Sequence, residues 1–166
     1  MKYLLCLFFL ITMPVFSKEG KNPNLIQLEN NMTLDCEEYG DDSCSARFLT
    51  MAGCAYVMGI NRGKSTGESM EIGSDLFVSM MKGHNLKASN MFDNQNNLKE
   101  SIKNETIQWF RFCEEEIVRS VEILYEKKNG KIPDNELTRK LIKGFVWWFL
   151  DEFEVTNKQL KIIQNW

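Results

Sequence analysis

Five cysteines, one histidine, a run of three glutamates and a glycine-rich turn are the residues of this chain whose types could do chemistry. Cys6 sits inside an apolar N-terminal run, which leaves Cys36, Cys44, Cys54 and Cys113 for the rest of the chain. Their spacing contains no Cys-x-x-Cys pair, which disfavours a zinc site. An even number of cysteines in an exported chain predicts two disulfides. If Cys44 and Cys54 share one helix they stand about 15 Å apart, beyond the roughly 7 Å that a disulfide spans between Cα atoms. Two pairings then stay open: Cys36 with Cys44 and Cys54 with Cys113, or Cys36 with Cys54 and Cys44 with Cys113.

The remaining candidates point away from catalysis. Gly59-Ile-Asn-Arg-Gly63-Lys64-Ser65 has three residues between its glycines where a phosphate-binding loop needs four, and it follows a helix rather than a strand. It reads as a glycine-rich turn. Glu114, Glu115 and Glu116 are consecutive, so on a helix they point about 100° apart and do not converge. His84 stands alone in a polar stretch, as a surface residue or a partner contact. Trp147 and Trp148 are adjacent on a predicted helix, one facing the core and the other at a boundary where it could anchor a partner. Asn31-Met-Thr33 and Asn104-Glu-Thr106 fit the N-glycosylation tripeptide, which matters only in a eukaryotic secretory route. No catalytic residue, metal set or cofactor is expected.

The chain that must position these residues has 166 of them, with 20 Lys or Arg, 23 Asp or Glu and a net charge of −3. Apolar residues make up 43% and charged ones 26%, an ordinary globular balance. The mild acidity argues against nucleic acid, which needs a basic face. Met1-Lys2, the apolar run from Leu4 to Met13, Pro14 and the small residue Ser17 form the pattern of a secretory signal peptide cut after Ser17. That run is too short to span a bilayer comfortably. Loss of residues 1–17 leaves a net charge of −4 and a chain long enough for one core.

Residues 18–33 are rich in Lys, Asn, Pro and Gly and are predicted to be extended, with Leu25, Ile26 and Leu28 free to dock. Residues 34–166 read as a single all-α domain, a small disulfide-stapled bundle of four to five helices. The apolar spacing predicts a helix from Ser43 or Ser45, as N-cap, to Gly59. A weaker helix is predicted from Glu68 to Met81, then a polar loop over 82–104. An unbroken helix is predicted over Thr106–Lys128, and a further one from Leu137 to about Phe153. A short last helix would begin at Thr156. No later stretch is apolar enough to span a membrane.

Leu34-Asp-Cys36, then Cys54-Ala-Tyr56-Val-Met-Gly59, then Phe112-Cys113 with the helix from Ile117 to Tyr125, together resemble the Rap/Tai family. These are periplasmic immunity proteins paired with type VI secretion amidase effectors. The resemblance covers residues 34–153. The family ends its last helix with another cysteine, whereas Asp151-Glu152-Phe153-Glu154 has none and Cys44 is extra. The resemblance implies a non-enzymatic, periplasmic or secreted protein that binds a peptidoglycan amidase and blocks its active site, with Tyr56 and Gly59 as structural motif residues. Met91, Phe92 and Asp93 in the 82–104 loop would form a plug for the enzyme's cleft, and His84 would be a further partner contact. A net-negative protein would be steered towards a positive effector. A homodimer stays open. The competing expectation is a periplasmic binding or stress protein with no toxin partner, which would expose apolar surface at low pH.

Overall fold

A computed structural model describes Cys36 and residues 38–160, with the backbone alone for 88 and 156–160. The proposed signal peptide, the segment 18–33, Leu34 and Asn31 lie outside the described residues. The described chain is all-α. Its helices are α1 (Asp41–Asn61), α2 (Thr66–Gly83), α3 (Glu100–Trp109), α4 (Glu114–Asn129) and α5 (Asn135–Leu160). A 3-10 turn over Phe110–Cys113 joins α3 to α4, so these two are pieces of one bent helix and the named elements make four helices among the described residues. No helix among the described residues is long and apolar enough to cross a membrane.

α1 is the axle of the bundle. Every residue from Cys44 to Val57 is buried, as expected of a helix that is apolar or small on all sides. Small residues let its neighbours approach. A Cβ built on Gly73 of α2 would lie 2.7 Å from the Ala52 carbonyl oxygen of α1, and one on Gly59 of α1 2.6 Å from Ser69 Oγ of α2. The two helices therefore touch backbone to backbone. The helix starts earlier than the serines suggest. Gly40 precedes it with φ 86°, Asp41 and Asp42 occupy its first turn, and carboxylates there favour the helix dipole. Ser43 is no cap; its hydroxyl donates to the Glu105 carboxylate of α3. Asp42 accepts from Lys99 Nζ and Ser101 Oγ, both at 2.9 Å.

α2 begins before the predicted Glu68. Ser65 caps it, accepting from the Glu68 backbone N–H, while the Glu68 carboxylate accepts from the Ser65 N–H at 2.9 Å. This is a capping box. The bond to Ser65 holds the Glu68 carboxyl below its usual range.

The expected 82–104 loop is not a loop throughout. Ala88–Met91 is a 3-10 turn, Phe92 and Leu98 form an isolated antiparallel bridge, and α3 begins at Glu100. Met91, Phe92, Leu98 and Ile102 are all buried. Their spacing follows no helical or strand period, because they reach the core from a turn, a bridge and a helix in succession. The chain reverses at Asp93, whose Oδ1 accepts from the N–H groups of Gln95 (2.8 Å) and Asn97 (2.9 Å). Asn96 takes φ 59°, the left-handed region that asparagine tolerates.

The expected unbroken helix over Thr106–Lys128 is broken at Phe110–Cys113. The tighter turn carries Phe110 to Gly53, where a Cβ would meet its ring at 2.5 Å, and brings Cys113 to Cys54. The disulfides are Cys36–Cys44 and Cys54–Cys113, with Cα–Cα separations of 5.0 and 5.9 Å. This selects one of the two open pairings. α4 ends at Gly130, left-handed with φ 69°, whose N–H returns to the Glu126 carbonyl. Asp134 Oδ1 then accepts from Leu137 N–H and opens α5. The break expected at Thr156 is absent, and α5 runs on to Leu160. Its inner face sets Phe145, Val146, Phe149 and Leu150 against the core. Glu154 pins it to the bridge, accepting from Leu98 N–H at 3.1 Å and pairing with Lys103 at 3.1 Å.

Candidate functional surface

The expected plug residues separate into anchors and a tip. Met91 is 0% and Phe92 7% exposed, and the Phe92 ring stacks 6.4 Å from Phe153 of α5. Neither is offered to a partner, which corrects the expectation for both: a large apolar side chain set beside the core gains more from burial than from solvent. Asp93, Asn94, Gln95 and Asn96 are exposed. The Asp93 carboxylate is spent on ordering its own turn. The result is a polar tip held in one shape by two buried anchors beneath it.

His84 is exposed and sits at the C-terminal end of α2, where its N–H reaches the Met80 carbonyl. Its ring lies 5.1 Å from that of Phe48. Tyr56 is buried between Phe145 and Trp148, with ring centroids at 6.0 and 5.8 Å. Burial raises its hydroxyl pKa. Gly59 is buried against Ser69. Tyr56 and Gly59 are thus packing residues at the contacts of α1.

The two shifted groups set a pH dependence. Tyr56 is raised when folded, so its contribution is intact below the unfolded value near 10 and is lost as pH rises past it. Glu68 is lowered, so the capping box contributes above the unfolded carboxylate range and weakens as pH falls through the folded one. The expected outcome is a stability plateau between these limits, with a loss above pH ~10 that Tyr56→Phe reduces. Urea midpoints across pH check it.

The other motifs take structural roles. Gly59 ends within α1 and Ser65 caps α2, so the glycine-rich segment is a helix-to-helix turn. Glu114, Glu115 and Glu116 form the first turn of α4, facing its dipole. Asn61 Nδ2 donates to Glu116 Oε2 at 2.8 Å and ties the end of α1 there. Thr106 is fully buried, with its hydroxyl on the Ile102 carbonyl at 2.7 Å, inside helix α3. Asn104, the acceptor of that tripeptide, is exposed on the same helix. Among the described residues, no group of three His, Cys, Asp or Glu is placed to hold a metal ion.

Sequence reasoning missed a polar cluster between α1 and α3. Glu105 accepts from Ser43 and from Trp109 Nε1 at 3.2 Å, and Arg47 Nη2 lies 3.7 Å away. The Arg47 guanidinium lies 4.5 Å from the Trp109 ring and 5.5 Å from that of Tyr39. Trp109 and Glu105 also line a shallow pocket of about 340 Å³ with Asn104, Gln108 and Arg111. Arg47 lies in an otherwise apolar run, where a buried cation on an aromatic face is the signal to look for.

Both tryptophans of α5 are exposed to solvent, Trp148 also covering the ring of Tyr56. Trp147 is 51% and Trp148 42% exposed, although Phe145, Val146, Phe149 and Leu150 around them are buried. The expectation that one of the pair faces the core is therefore corrected. Residues 145 and 149 share one helical stripe and 146 and 150 the next, which leaves 147 and 148 on the two flanks of the outer face, with the Trp148 ring against Tyr56 and Phe145.

The two disulfides fit an oxidising compartment. Scanned against protein-family models, curated proteins and solved structures, the chain matches none of them.

Proposed function

We propose that this chain is an exported, non-catalytic immunity-like protein that binds a cell-wall amidase effector in the periplasm and inhibits it. The observation that supports it most is the ordered polar tip at Asp93–Asn97, anchored by buried Met91 and Phe92. A protrusion fixed before binding pays little ordering entropy when it enters a cleft. The two disulfides add rigidity suited to a compartment without a reducing pool. The resemblance of the three cysteine-bearing segments to the Rap/Tai family supplies the class of partner.

The experiment is capture on the oxidised protein of its own organism's secreted and periplasmic proteins, identified by mass spectrometry. The expected result is one stoichiometric partner with amidase activity, inhibited on binding. Asp93→Ala removes the acceptor for two backbone N–H groups of the tip. It is expected to weaken capture about tenfold, the cost of about 1.4 kcal/mol of lost order, with thermal stability nearly unchanged. Many weak partners with no enzyme among them would overturn the proposal and favour a general binding or stress protein.

A further inference from the structure

We infer that Asn129–Gly130, at the C-terminal end of α4, is a site of spontaneous covalent modification whose rate is set by the opening of that helix's last turn. The asparagine side chain closes on the next backbone nitrogen and reopens as aspartate or isoaspartate. Asn129 is the only asparagine of the chain that glycine follows. Glycine puts no side chain in the way of the attacking nitrogen and lets the backbone swing it round. Every other asparagine precedes a residue that hinders this approach.

The reaction balances with water alone. The Gly130 nitrogen, losing its proton to water, bonds to Asn129 Cγ, and the Cγ–Nδ2 bond breaks to release ammonia. Water then opens the five-membered imide. Opening at Cγ gives aspartate, and opening at the Asn129 backbone carbonyl gives isoaspartate. One water is consumed and one ammonia leaves; nothing is oxidised or reduced.

The fold holds both reacting groups. Gly130 N–H donates to the Glu126 carbonyl at 2.8 Å, and Asn129 Nδ2 donates to the Tyr125 carbonyl at 2.9 Å. Neither group reacts until its bond opens. Both bonds lie where a helix opens first. Residues 126–130 are all exposed, nothing lies within 4 Å of where a Gly130 Cβ would be, and both disulfides tie residues no later than Cys113. Asn129 also lines a groove of about 400 Å³ with Tyr125 and Leu141, which admits the hydrolytic water. Either product sets a carboxylate at the negative end of the α4 dipole. Isoaspartate also lengthens the main chain by one methylene, so the left-handed Gly130 cap falls out of register with Glu126 where α4 turns towards α5.

The test is incubation of the full chain, expressed under oxidising conditions, near neutral pH. Peptide mapping by mass spectrometry and an isoaspartate-specific methyltransferase assay follow it with time. The expected result is that Asn129 is converted first among the asparagines, to a mixture of aspartate and isoaspartate. In the chain reduced and unfolded in urea the same conversion should run about thirtyfold faster, the weight of the two hydrogen bonds that the folded chain must break. Asn129→Gln, whose ring would be one atom larger, should abolish isoaspartate at this position and leave the urea midpoint nearly unchanged. Gly130→Ala should slow the conversion in the unfolded chain, where the folding of that variant does not matter. A folded chain whose Asn129 stays intact while the unfolded chain is fully converted overturns the inference. So does conversion at equal rates in the two states, or conversion that begins at the exposed asparagines of the 93–97 tip.

Discussion

Replacing both Cys54 and Cys113 by alanine is expected to lower the stability of the folded chain by about 4 kcal/mol, the loop-closure entropy of a cross-link spanning 59 residues. The Cys36–Cys44 bridge spans 8 residues, and the same relation gives it about 2.5 kcal/mol. Set against a typical total of about 5–15 kcal/mol, the longer bridge is the one whose loss brings the fold close to failure. It also sits where α3 bends into α4 and ties that bend to the middle of α1. Thermal unfolding monitored by circular dichroism should show a fall in Tm of about 10–15 °C for the Cys54/Cys113 variant. The Cys36/Cys44 variant should lose about half as much. Equal losses would mean that the long loop is already ordered in the unfolded chain, and that the bend does not depend on its cross-link.

Gly73→Ala is the second large effect. In a helix interior alanine is ordinarily favoured over glycine by roughly 0.5–1 kcal/mol. Here the new methyl would stand 2.7 Å from the Ala52 carbonyl oxygen, which is backbone in the most buried helix of the molecule. A carbonyl in a helix cannot turn aside, so α2 must lift from α1 along its length, and overpacking of this kind costs about 1–3 kcal/mol. The clash outweighs the propensity, and a net loss of about 1–2 kcal/mol is expected in urea unfolding. Gly67→Ala provides the contrast. It also lies in α2, with nothing within 4 Å of its Cβ position, and should be neutral or slightly stabilising. A stabilised Gly73→Ala would show that the two backbones do not touch.

The helical class was legible because Phe48, Ala52, Ala55, Tyr56 and Gly59, and later Leu141, Phe145, Trp148 and Phe149, repeat at three and four residues. Other features were hidden for physical reasons. The break at Phe110–Cys113 was invisible because Phe110, Cys113, Ile117 and Val121 keep three- and four-residue spacing straight through the 3-10 turn. Met91, Phe92, Leu98 and Ile102 enter one core from three kinds of backbone, so no single period joins them. The N-terminus of α2 was written in Ser65-Thr-Gly-Glu68 as a capping box, a signal stronger than the apolar spacing that placed the start at Glu68. The cysteine pairing needed tertiary information, since only the bend between α3 and α4 sets Cys113 beside Cys54. Of the candidate site, exposed His84 and Asp93 were reachable from polarity alone. The adjacency of Trp147 and Trp148 was plain, but their shared exposure depends on which stripe of α5 the core takes.

The proposed inhibition of a cell-wall amidase is open to direct titration. The oxidised protein is added in steps to the amidase secreted by its own organism, with peptidoglycan as substrate, and release of new amino termini is followed. The expected result is activity that falls linearly to zero at one protein chain per enzyme chain, with inhibition weakened in the Asp93→Ala variant. Amidase activity that persists in large excess of the protein would contradict it.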